Sequence, residues 1–200
     1  MGSEVEKRSM TSEQVLDIYR KTGALLTGHF LLSSGLHSEL YLQSALVLQQ
    51  PAIATTLCAA LAENFKDSKI DVVIAPALGG VFVSHETARA LGVRAIFAER
   101  ADGELTLRRG FTITPGERVL VVEDVITTGK STKETIRVVK QAGGNVIAAA
   151  SLVDRSNGKA DIGVPYRSLV TLNVPTFTTE ACPLCKAGGK PIKPGSRGLK

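Results

Sequence analysis

The sequence predicts an α/β domain: a mostly parallel central sheet flanked by helices, with a small hood on its amino-terminal side. Three observations carry this. Short runs rich in Val, Ile, Leu and Ala at residues 70–75, 93–98, 119–122, 145–153 and 168–172 are separated by stretches long enough for helices, the alternation of a parallel sheet covered on both faces. One of these runs ends in two carboxylates, Glu123 and Asp124, followed by a small hydroxyl-rich loop and a helix start. Aromatic residues make up only 4% of the chain, with no Trp, which suits a sheet packed through Ala, Val and Gly.

The elements follow in order. Residues 11–21 form a helix, since Thr11 and Gln14 have capping-box spacing and Val15, Ile18 and Tyr19 share one face. Residues 30–32 and 40–42 alternate around Ser33, Ser34 and Gly35, the pattern of a small antiparallel hood. Pro51 can open a helix, and Ile53, Leu57, Leu61 and Phe65 continue it at helical spacing. A strand at 70–75, a loop at Leu78, Gly79 and Gly80, a helix over 81–91 and a strand at 93–98 come next. The strand at 119–122 leads into a helix that should begin at Ser131, because Glu134 stands three residues on in a second capping box. Strands at 145–153 and 168–172 complete the sheet. Right-handed crossovers then bring the loops at 76–80 and 123–130 to the same edge. The length fits one domain, residues 1–200, with a hood of about 11–45, a core of about 46–175 and a tail of about 176–200.

The chemistry is concentrated after the strand at 119–122. A hydroxyl-rich loop leading into a helix amino terminus presents amides and a dipole that favour a phosphate, and the acids just upstream suit sugar hydroxyls or a metal on the same ligand. Gly129, Lys130 and Ser131 also match the end of a nucleotide-binding P-loop. The position that should hold that motif's first glycine is Asp124, however, whose carboxylate would face the phosphates.

The run from Val121 through Glu123, Asp124, Thr127, Thr128 and Gly129 to Ser131 resembles the phosphoribosyl diphosphate (PRPP) loop of type I phosphoribosyltransferases. The segment from Gly28 to Ser38, with Tyr41, resembles the hood of the orotate phosphoribosyltransferase family, and Leu152 to Arg155 resembles that family's later strand. A Cys-Pro-Leu-Cys run, Cys182 to Cys185, places the resemblance in a bacterial branch of that family. The resemblance implies transfer of ribose 5-phosphate from PRPP to orotate, with diphosphate released, in pyrimidine synthesis. It implies that Glu123 and Asp124 meet the ribose hydroxyls and favour the cationic transition state. Val125, Ile126, Thr127, Thr128, Gly129, Lys130 and Ser131 would cradle the 5-phosphate. Thr127 would also lie near orotate, and Arg155 would pair with its carboxylate, a task suited to a planar guanidinium. Mg²⁺ would be the cofactor, held mostly by substrate oxygens and water rather than by a protein ligand set. A homodimer with shared active sites is implied as well.

This chain departs from the family pattern on the diphosphate side. Where better-known members carry a Lys- and His-containing flexible loop, residues 99–111 offer only Arg100, Arg108 and Arg109, and Arg100 is the first choice for the diphosphate. Leu78 and Gly79 replace a Tyr-Lys pair, and Ser33 replaces a hood Lys. The 99–110 loop looks more like the purine-type enzymes. This keeps two alternatives in view: a purine-type phosphoribosyltransferase, and a non-catalytic PRPP-sensing regulator that binds nucleic acid through its basic tail.

Other features are read as bland. The net charge of +5 owes much to tail residues Lys186, Lys190, Lys193, Arg197 and Lys200, and no basic helix with interleaved aromatics points to nucleic acid. No apolar run reaches a membrane span and no leader is apparent, so the cytoplasm is the expected location. His29, His37 and His85 share no ligand spacing and are expected to be structural or surface residues. Cys182 and Cys185 have zinc-knuckle spacing, but the sequence offers no second pair, so a bare reduced CxxC in a tail turn is expected, with zinc completed across a dimer interface as the alternative.

Overall fold

The computed structural model describes residues 10–32 and 34–194. Ser33, Arg197 and Lys200, discussed above, lie outside the described residues. The chain begins with α1 (Ser12–Lys21), capped by Thr11 and Gln14 in the expected reciprocal box. It continues through β1 (Leu25–Leu31), β2 (His37–Leu42), the short α2 (Ser44–Leu48), α3 (Pro51–Glu63), β3 (Val72–Pro76), α4 (Val81–Leu91) and β4 (Arg94–Ala101). The second half comprises β5 (Glu104–Leu107), β6 (Arg118–Ile126), α5 (Lys130–Gln141), β7 (Asn145–Asp154), β8 (Tyr166–Thr171), β9 (Thr176–Phe177) and α6 (Pro183–Lys186).

A six-stranded sheet in the order β5-β4-β3-β6-β7-β8 forms the centre. All neighbours in it run parallel except β5, which returns antiparallel beside β4. Alternation within β3 and β6 divides the core in two. Val73, Ala75, Leu120 and Val122 pack with Leu57, Leu61 and Val83 from α3 and α4 on one face. Val72, Ile74, Val119 and Val121 pack with Ile136 and Val139 from α5 on the other. Both faces are dry, which is why these strands read as continuous apolar runs. The antiparallel hood, β1-β2-β9, stands apart from this sheet.

The strand order reverses at β3, from which the chain crosses first to β4 and later to β6 on the opposite side. Ligands of open α/β sheets bind beyond the strand ends at such a switch point. Here β3 pairs with β6 only as far as Ile74 and Val121, while β7 continues beside β6 to Ile126. The tip of β6 therefore has a neighbour on one side only and borders a crevice on the other.

Four expectations need correction. The strand at 119–122 does not stop at the acids: β6 runs through Glu123 and Asp124 to Ile126 because β7 keeps pairing with it. The following helix starts at Lys130 with Gly129 as its cap (φ 73°), not at a Ser131 capping box. Ser131 donates instead to Glu123, and Glu134 accepts from Arg100, so tertiary partners take both members of the local pattern. Finally, 99–110 is largely a hairpin rather than a loop: β4 turns at Asp102 and Gly103, both at positive φ, into β5, and Arg100 pairs across with Leu105. The fourth concerns the cysteines and is taken up with the site below.

Candidate active site

The acidic pair lies where β6 emerges from between its neighbours. Glu123 is only 6% exposed and Asp124 is half-buried. Ser131 Oγ donates to Glu123 Oε2 at 2.8 Å, tying the first turn of α5 to the strand tip. Burial pushes the Glu123 carboxyl well above the usual carboxylate range, and the neighbouring Asp124 charge pushes it the same way. Asp124 is also raised by burial, against the opposing effect of hydrogen bonds from the Val125 amide and from Ser44. Ser44 in turn shares a 3.1 Å hydrogen bond with the fully buried Tyr19 hydroxyl. The pair thus holds negative charge at a cost, the usual condition of carboxylates kept for a ligand.

The loop at 76–80 closes over these acids. A Cβ on Gly79 would stand 2.9 Å from Asp124 Oδ1, and one on Gly80 would stand 3.2 Å from Glu123 Oε1 and 2.7 Å from Ala75 Cβ. Only glycine lets backbone and carboxylates approach this closely. The peptide between Ala77 and Leu78 is cis. Leu78 in this loop and Phe82 at the start of α4 are large apolar residues that are 84% and 58% exposed.

Beyond the acids, residues 125–131 border one concavity together with Arg100. Ile126 is buried, whereas Thr127, Thr128 and Lys130 are exposed. Gly129 sits at φ 73° with Ile162 Cδ1 only 2.5 Å from where a Cβ would be, so neither the conformation nor the space admits a side chain. Arg100 is tied to Glu134 on α5 and to the Gly103 carbonyl, and it faces this loop of its own chain. Arg109 binds Glu99 at 2.9 Å, with Arg108 farther off at 3.8 Å.

Thr127 and Thr128 also border a second cleft, of about 490 Å³, with Tyr41 from the hood, Arg155, Asn173 and Val174. The Arg155 amide donates to the Ile126 carbonyl at 2.7 Å, which fixes this residue to the end of the 125–131 segment. The Arg155 guanidinium is half-buried, its pKa is lowered by desolvation, and its Nε is buried without a hydrogen-bond partner among the described residues. A desolvated cation with a free donor in a cleft is built for an anion. Buried Asp154 fixes the turn that follows Arg155, accepting from the amides of Ser156 at 2.7 Å and Gly158 at 3.2 Å. The structure therefore brings Glu123, Asp124, residues 125–131, Arg100 and Arg155 into adjoining hollows along one sheet edge. Ser44 and Asp154 went unremarked in the sequence as site residues. Only Asp154 left a signal there, the Asp-x-Ser spacing of a side-chain-capped turn.

The histidines and tail cysteines differ from expectation. His85 is a surface residue near Glu86. His29 and His37, however, lie against Cys182 and Cys185, with all four potential ligand atoms within 4.8 Å of one another. The second ligand pair that seemed to be missing comes from the hood, because β1–β2 pairing and the β2–β9 contact fold sequence-distant residues together.

A switch-point crevice with a buried acidic pair and a phosphate-type loop at the end of a parallel strand defines a type I phosphoribosyltransferase fold and site. The phosphoribosyl transferase domain family model matches residues 44–182. Orotate phosphoribosyltransferase from Caldicellulosiruptor bescii is 56% identical over 94% of this chain and 99% of its own length. Its counterpart from Acidithiobacillus ferrooxidans is 55% identical over 95% and 100%. Among solved structures, orotate phosphoribosyltransferase from Aeropyrum pernix is similar at 29% identity, with a TM-score of 0.64, over 79% of this chain and 93% of that one. The chain belongs to the orotate phosphoribosyltransferase family.

Proposed function

We propose that this protein transfers the ribose 5-phosphate group of PRPP to orotate, giving orotidine 5′-monophosphate and diphosphate. The observation that carries the base assignment is Arg155, a half-buried guanidinium with an unpartnered Nε at the junction of the cleft and the 125–131 loop. A planar base bearing a carboxylate fills that cleft and satisfies that donor, whereas a purine offers it no anion. The 5-phosphate rests on the amides of residues 127–131 and the amino terminus of α5. Glu123 and Asp124 accept from the ribose 2- and 3-hydroxyls, and their charge stabilises the electron-poor anomeric carbon as the bond to diphosphate lengthens. Ser131 and Ser44 hold the two carboxylates in place.

The paired carboxylate oxygens of Glu123 and Asp124 are hard donors compatible with a nearby Mg²⁺ that would be held mostly by substrate oxygens and water. When bound, that ion neutralises charge on the departing diphosphate. Arg100, at the edge of the 125–131 loop, adds positive charge on the 5-phosphate side. Exposed Arg108 and Arg109 are the cations left for the diphosphate. We place them in a neighbouring subunit's site within a homodimer, a reading supported by exposed Leu78 and Phe82. The reaction belongs to the cytoplasm, where the three free cysteines remain reduced. No helix among the described residues is long and apolar enough to cross a membrane.

The test is a spectrophotometric assay with PRPP and Mg²⁺. Orotate should be consumed with one diphosphate released per turnover, while adenine and hypoxanthine remain unchanged. Turnover with a purine and none with orotate would overturn the assignment.

A further inference from the structure

At the far side of the hood, four side chains that the reaction does not use converge. His29 projects from β1 and His37 from the start of β2, while Cys182 caps α6 and Cys185 lies on its only turn. His29 Nε2 is 2.9 Å from His37 Nδ1, 3.5 Å from Cys182 Sγ and 3.6 Å from Cys185 Sγ. Cys185 Sγ is 3.2 Å from His37 Nδ1.

Metal–ligand bonds of about 2.0–2.1 Å to nitrogen and about 2.3 Å to sulfur at tetrahedral angles require about 3.4 Å between nitrogens and about 3.5 Å between nitrogen and sulfur. These four separations, 2.9–3.6 Å, lie within about half an ångström of those values, and all four ligand atoms lie within 4.8 Å of one another, so small side-chain adjustments would seat a cation among them. We infer that His29, His37, Cys182 and Cys185 form a tetrahedral Cys₂His₂ zinc site. Thiolate and imidazole ligands without a carboxylate select zinc over magnesium or calcium. Binding displaces both thiol protons, and two thiolates with one Zn²⁺ leave a neutral centre, as a site containing buried His37 and Cys182 requires. The second nitrogen of His37 meets Thr179 Oγ1 at 3.4 Å, an outer partner that fixes its ring.

The site has a structural task. The tail otherwise holds the hood through two β2–β9 residue pairs and through Ile192, whose amide donates to the His29 carbonyl and whose carbonyl accepts from the Leu31 amide, both at 2.8 Å. A helix of four residues has no core of its own. Zinc would pin α6 and β9 to β1 and β2; Leu32, just after β1, and Tyr41 on β2 line the Arg155 cleft. Asn173 and Thr176, which also line that cleft, lead into and begin β9. The metal would thereby brace the cleft from behind without touching a ligand in it.

The experiment is elemental analysis of untagged protein purified without chelators, alongside the Cys182→Ser/Cys185→Ser variant. The expected result is about one zinc per chain in the wild type, released when a mercurial titrates the thiols, and almost none in the variant. Removing zinc from the wild type with a strong chelator should lower Tm by at least about 5 °C, and adding zinc back should restore it. Cobalt loaded in its place should show the intense visible bands of tetrahedral dithiolate coordination. Protein that is metal-free, carries stoichiometric iron, or has an intact mass showing a Cys182–Cys185 disulfide would overturn the assignment. So would zinc retained in the variant. These readouts do not depend on turnover, so they stand apart from the reaction assigned above.

Discussion

Replacing Arg155 by Ala isolates the group that selects the base. In the free protein the guanidinium is half-buried, desolvation already lowers its pKa, and Nε lacks a partner, so its removal deletes an unfavourable burial rather than a stabilising contact. Stability should therefore stay within about 0.5 kcal/mol of the wild type. With orotate bound, the substitution leaves a carboxylate facing the cleft with no cation. Truncating one member of a desolvated charged pair costs about 2–5 kcal/mol. Because the guanidinium is only half-buried, the loss belongs at the lower limit, about 2–3 kcal/mol, or roughly 30- to 150-fold in kcat/KM for orotate. Arg155→Lys should recover part of this, since an ammonium restores the charge without the planar fork. The KM for PRPP should change by less than about twofold, because the hydrogen bond joining Arg155 to the 125–131 loop runs through its backbone amide, which the substitution keeps. The assay is steady-state kinetics with each substrate varied in turn, paired with urea unfolding. Equal losses for orotate and PRPP, or a fall in stability of several kcal/mol, would show that Arg155 holds the fold and does not read the base.

Other outcomes follow from the acids, the loop and the proposed dimer. Asp124→Asn should fold and lose at least about tenfold in turnover, or about 1.4 kcal/mol of transition-state stabilisation, and unchanged turnover in the folded variant would remove Asp124 from the chemistry. Burial raises the Glu123 pKa, so between the unfolded and native values the native state holds a proton that the unfolded chain has released. The pair's stabilising contribution is therefore full below the unfolded carboxylate pKa and is lost as pH rises through the raised native value. Glu123→Gln should consequently stabilise the ligand-free protein by about 0.5–2 kcal/mol at pH 8 and by less at pH 5, as read by urea titration; a larger gain at pH 5 would contradict the sign. Gly129→Ala must shift Ile162 and strain a positive-φ residue, so PRPP binding should weaken and stability fall by about 1–3 kcal/mol, checked by calorimetry. Mixing Asp124→Asn with Arg108→Ala/Arg109→Ala chains should restore activity if the hairpin serves a partner's site. No recovery after subunit exchange confirmed by mass spectrometry would confine each hairpin to its own subunit.

The sheet was legible because its strands are buried on both faces, which forces uninterrupted apolar runs such as Val119 to Val122. The acidic pair stood out because carboxylates at the end of such a run need partners. What stayed hidden depends on contacts distant in sequence. The Ser131–Glu134 pattern is a valid local cap, but Glu123 and Arg100 compete for its two side chains and win. The β4–β5 hairpin carries its own signal in Asp102 and Gly103, a dipeptide suited to the positive φ values of a tight turn. His29 and Cys182 become neighbours only once the hood has paired and the tail has returned beside it. No spacing rule could have joined them.

The most direct measurement is a crystal structure of the wild-type protein with orotidine 5′-monophosphate. The account predicts the base carboxylate within hydrogen-bond reach of Arg155 Nε, the 5′-phosphate on the amides of residues 127–131, and the ribose hydroxyls on Glu123 and Asp124. A nucleotide bound with its carboxylate away from Arg155, or with its phosphate outside that loop, would contradict it.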